Sequence, residues 1–186
     1  MLKPRPRFRL VPVGAAIALI LSGCGESKVT QCNRLAEVVN QTQGFMQEFE
    51  TEIQSFSNSA AAVQNISDIK NAATQYTEAV NKVVTSLDGL ASDLKTTELS
   101  DDSLLGFRDS YIGVVQGFSK ALTQASKAME LVKTVDSEAA LPARIEESQE
   151  KTMEAVSSIE ELSITESNII DNVNQYCGVN PQGSGE

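Results

Sequence analysis

Between Val29 and Tyr176 the apolar positions recur at alternating steps of three and four residues, and no stretch shows the period of two that a half-buried strand requires. The pattern predicts an all-α chain. Leu35, Val39, Thr42, Met46, Phe49, Ile53 and Phe56 form one stripe, and Ile69, Ala73, Tyr76, Val80, Val83, Leu87, Leu90 and Leu94 a second. A third runs through Phe107, Tyr111, Val114, Phe118, Ala121, Ala125, Ala128 and Val132, and a fourth through Ala155, Ile159, Leu162, Glu166, Ile169, Val173 and Tyr176. Neighbours such as Val38, Phe45, Val84, Val115, Leu122 and Ile170 make each face wider than a two-stranded coiled-coil seam. Four such helices bury their faces together as a four-helix bundle.

The breaks between stripes agree. Ser57-Asn58-Ser59 and Asn65-Ile66-Ser67-Asp68 bracket the first connection, with Ser67 as the expected N-cap of the second helix. Ser100-Asp101-Asp102 opens the third helix, where oxygen acceptors and negative charge suit the free amides of a helix start. Asp136 to Pro142 separates the third helix from the fourth, and Gly178 stops the fourth. Links this short predict an antiparallel up-down-up-down bundle with its termini at the same end, built from helices about 45 Å long.

Upstream of the bundle the character changes. Lys3, Arg5, Arg7 and Arg9 precede an apolar run from Leu10 to Leu21, which has the charge and length of a signal peptide. It falls short of the roughly 20 apolar residues needed to cross a bilayer. Leu21-Ser22-Gly23-Cys24 follows, and this resembles the lipobox of bacterial lipoproteins. The resemblance implies cleavage before Cys24, diacylglycerol on its sulfur and acylation of the new amine, which together anchor far more firmly than a single chain. The expected domains are a removed signal peptide at 1–23, a lipidated tether at 24–31, the bundle at 32–177 and a frayed tail at 178–186. The expected location is a bacterial membrane, facing the periplasm, a thylakoid lumen or the cell exterior. The acidic helical part resembles small acidic helical lipoproteins of cyanobacteria, a resemblance that carries no functional residues.

Loss of residues 1–23 removes four of the 15 basic residues and none of the 25 acidic ones, leaving a formal charge of −14. Such a surface repels nucleic acid and anionic headgroups, so the partners expected are membrane lipid, through Cys24, and a protein, not DNA or RNA. Histidine is absent, so neither a Ser-His-Asp or Cys-His catalytic arrangement nor a Glu-x-x-His di-iron site can be assembled from this chain alone. No cofactor and no enzymatic activity are expected. The function expected is a non-enzymatic bundle that binds or scaffolds an envelope protein. The alternative is a carrier or sensor that holds a small apolar ligand or a divalent cation.

With Cys24 lipidated, Cys32 and Cys177 remain, one near the start of the first helix and one at the end of the last. In an exported protein they are expected to pair, the alternative being two separate thiols against a helix interface. The last helix is acidic, and steps of three and four place Glu147, Glu150 and Glu154 along one face, which suits a cation or a basic partner, or else is simply solvated. Glu166 falls on an apolar stripe, as a buried carboxylate would. The expectation is a local slip in register by which Ile164 and Ile170 take the core and Glu166 turns to water; otherwise it stays buried and needs a partner. Ala121, Ala125 and Ala128 are read as sites of close helix approach.

Overall fold

The structure is a computed structural model that describes residues 26–178, the side chain of Met46 excepted. Cys24 with the expected lipobox and signal segment, and the tail expected beyond Gly178, lie outside the described residues. Within them the chain is helical, without a strand: α1 (Lys28–Val39), α2 (Thr42–Ala61), α3 (Ile66–Thr96), α4 (Asp102–Lys133) and α5 (Leu141–Cys177). Together α1 and α2 make the first of four helices that pack against one another. No helix among the described residues is long and apolar enough to cross a membrane.

The helix starts follow capping chemistry. Ser27 accepts from the amide of Thr30, and Asp101 accepts from the amide of Leu104 at 3.0 Å. Asn65, not Ser67, caps α3, accepting from the amides of Ser67 and Asp68. The expected cap lies two residues late because serine and asparagine are both good caps and only the backbone decides between them. Two boundaries also differ from expectation. The helix runs through Ser57-Asn58-Ser59 to Ala61, and Lys28–Gln31, expected in the tether, already form the first turn of α1. Pro142 stands in the first turn of α5, and Gly178 ends that helix with φ 74°, the left-handed conformation that glycine takes without a Cβ penalty.

The first helix is broken. At Asn40-Gln41 the bonds tighten: the amides of Gln41, Gln43 and Gly44 reach the carbonyls three residues back, and the Thr42 hydroxyl donates to the Val39 carbonyl at 2.9 Å. Val38, Val39, Asn40, Thr42 and Gly44 are all weaker helix formers than alanine or leucine, so continuous helix holds little advantage here.

Packing is uneven along the bundle. Leu87, Leu90, Leu94, Leu104, Tyr111 and Val115 bury around Cys32 and Leu35, whereas the other half is filled mainly by Ala72, Ala73, Ala79, Ala121, Ala125, Ala128 and Ala155. These alanines let α3, α4 and α5 approach closely. Gly117 does the same for α4 and α5, since a Cβ there would sit 2.6 Å from a Leu162 methyl carbon. Specific pairs bind the helices: Phe56 with Tyr76 and Glu52 with Lys82 between α2 and α3, Asp88 with Ser119 and Asn81 with Ser126 between α3 and α4. By contrast, α2 packs against α3 with no comparable contact to α5, so the seam between α2 and α5 is open.

Candidate functional site

Cys32 and Cys177 are joined as a disulfide, with Cα atoms 6.0 Å apart. Around it lies a polar network that the sequence reading missed. Gln31 is 3% exposed, donates to Ser100 Oγ and the Glu26 carbonyl, and accepts from the amides of Ser100 and Asp101. Asp101, tied by the Leu104 amide and then by the Tyr176 hydroxyl, has its carboxyl pKa lowered. Lys28 Nζ stands 3.7 Å from the centre of the Tyr176 ring, and Arg34 pairs with Glu26. Gln31 lies four residues before Leu35 on the first stripe, so its burial was legible; its hold on the amides that lead into α4 was not. Every partner here is used up in holding α1, α4 and α5 together, and the network is structural.

Just inside that end is a cavity of about 270 Å³, where the break between α1 and α2 faces α4 and α5. Its walls are Leu35, Val39, Phe107, Ile169, Ile170 and Val173, and its polar groups are Asn40, Thr42, Gln43, Asn174, Tyr111 and Glu166. Ala36, Asn40 and Gln43 are exposed and form its mouth. Tyr111, only 3% exposed, donates its hydroxyl to Glu166 Oε1 at 2.8 Å. Burial pushes the Tyr111 phenol well above its ordinary pKa, the negative charge of Glu166 and their hydrogen bond push it further, and Thr42 acts in the opposite sense.

Glu166 is therefore not turned to water by a slip in register. Ile164, expected in the core, is 66% exposed, while Glu166 is half-buried on the stripe and Ile170 packs at the core edge. The reason is Tyr111, whose hydroxyl supplies the partner that a carboxylate on an apolar face requires. Among the described residues no lysine or arginine forms an ion pair with Glu166.

Glu147, Glu150 and Glu154 are not drawn into a site. Glu147 pairs with Arg144 at 2.8 Å, Glu150 and Glu154 are exposed, and among the described residues no three acidic or cysteine side chains are grouped as a metal would need. A straight helix face spreads its carboxylates along its length, whereas a divalent ion wants oxygens converging on one point.

At the far end of the open seam lies an apolar groove of about 360 Å³, lined by Phe56 and Ala60 from the end of α2, Val63 in the link that follows, Ile69 at the start of α3, Met129 and Val132 late in α4, and Ile145 early in α5. Comparison with protein-family models, curated proteins and solved structures finds no match to this chain.

Proposed function

We propose that this protein is a lipid-anchored, non-enzymatic binding bundle, held by Cys24 with its disulfide end at a membrane and its apolar groove turned away from it. The proposed order is up-down-up-down. Residue pairs support it: from Asn81 to Asp88 on α3 the partner on α4 runs backwards from Ser126 to Ser119. From Asp101 through Tyr111 to Gly117 the partner on α5 falls from Tyr176 through Glu166 to Leu162. From Glu52 to Phe56 on α2 the partner on α3 falls from Lys82 to Tyr76. In that order the termini share the end where Cys32 meets Cys177, and only residues 25–27 stand between Cys24 and the first turn of α1.

The observation that carries the binding reading is the groove. It is apolar and contributed by all four helices, so its natural occupant is an apolar side chain or helix of an envelope protein. A photo-crosslinker at Gln149, on the groove, is expected to give one protein adduct in native membranes that Ile145→Glu removes and that a crosslinker at Lys95 never gives. Equal adducts from both positions, or none, would overturn the reading. A second reading, a carrier for a small molecule, is favoured by the separate cavity beside Tyr111 and Glu166.

A further inference from the structure

We infer that the cavity between the α1–α2 break and helices α4 and α5 is a binding site for a small organic cation: a primary ammonium on a short apolar body. The inference rests on the carrier reading and adds to it the charge of the ligand.

The apolar walls set the body of the ligand. Val39, Phe107, Ile169 and Val173 present hydrocarbon and an aromatic ring, which reward a chain or small ring and offer nothing to a sugar or a bare metal ion. The polar groups set its head. Glu166 brings the one carboxylate of the lining into an otherwise neutral cavity. Its Oε1 accepts from Tyr111, and its Oε2 has no hydrogen bond among the described residues. Asn40 and Asn174 belong to the same lining, and each carries a side-chain carbonyl able to accept, so an ammonium with three donors finds residues of more than one kind beside the carboxylate. An anionic head would face Glu166 and no basic residue of the lining. A divalent ion would lack the convergent oxygens it requires, since no metal-holding group is found among the described residues.

Tyr111 is a positioning residue. Its buried hydroxyl holds the carboxylate toward the cavity and, being hard to ionise, stays a donor at neutral pH. The break between α1 and α2 borders the mouth, with Asn40, Thr42 and Gln43 in the lining.

The test is a titration of the protein, disulfide intact, with hexylammonium, hexanol and hexanoate at physiological salt, followed by amide chemical shifts. Expected is saturable binding of hexylammonium that moves the resonances of residues 36–43 and 166–174. Hexanol should bind more weakly, hexanoate not at all, and Glu166→Gln should weaken hexylammonium about tenfold, as loss of a charge-assisted hydrogen bond does. Ala36→Phe, at the exposed mouth, should block hexylammonium and hexanol alike, which keeps the test decisive if Glu166→Gln folds poorly. Hexanol binding as well as hexylammonium, with no effect of Glu166→Gln, would overturn the ammonium site and leave a neutral carrier standing. Absence of binding by all three would overturn both.

Discussion

Tyr111 and Glu166 show how a single side chain decides the environment of another. A tyrosine whose folded pKa is raised contributes stability that is complete below its unfolded value near 10 and is lost as the pH rises through the folded one, because the unfolded chain sheds the proton first. Resistance to urea is therefore expected to fall between pH 9 and 11, and the decline should be shallower in Tyr111→Phe; equal slopes in the two proteins would contradict the pairing. Burial raises the Tyr76 phenol as well, so Tyr111→Phe should reduce the decline without abolishing it. Both partners stood on apolar stripes in the sequence, but nothing in one chain's pattern says which tyrosine faces which carboxylate. That depends on how far α4 slides along α5, and close packing at Gly117 and Leu162 sets the slide.

At the scale of the element, the four stripes were legible because a period near 3.6 survives over 30 residues, while the interruption of the first helix was not. Val39 and Thr42 continue the stripe across the break, so the hydrophobic pattern stays intact where the backbone tightens. The signal lay in propensity instead, in β-branched and polar residues clustered ahead of Gly44. The capping asparagine of α3 escaped for a similar reason, one good cap standing two residues before another. Propensity also yields a prediction for α4: Gly113 is exposed in the middle of the helix with nothing within 4 Å of a Cβ built there. Gly113→Ala should stabilise the protein by up to about 1 kcal/mol, raising the melting temperature by roughly 2–4 °C. A fall in melting temperature would show that this face is not free.

For the whole molecule, the decisive feature is a bundle unequal along its length. Large side chains and a disulfide secure one end, while alanines, an open α2–α5 seam and an apolar groove mark the other. The bridge spans 145 residues of sequence, and the chain-entropy account gives as much as about 5 kcal/mol for a loop of that length. Reduction, or Cys32→Ser with Cys177→Ser, should lower the denaturation midpoint markedly and leave helical content unchanged under native conditions. An unchanged midpoint would mean that the Gln31 and Tyr176 contacts hold that end unaided. Composition had excluded histidine chemistry and pointed to a protein partner, but the groove and the cavity arise from how four helices fail to close, which no local pattern encodes.

Whether the bundle is tied to a membrane through Cys24 is read from mass spectrometry of the N-terminal peptide of protein extracted from membranes. Expected is a peptide that begins at Cys24 and carries diacylglycerol on its sulfur, with further acylation of the amine. A mature chain beginning elsewhere, or beginning at Cys24 with a free thiol, would contradict it.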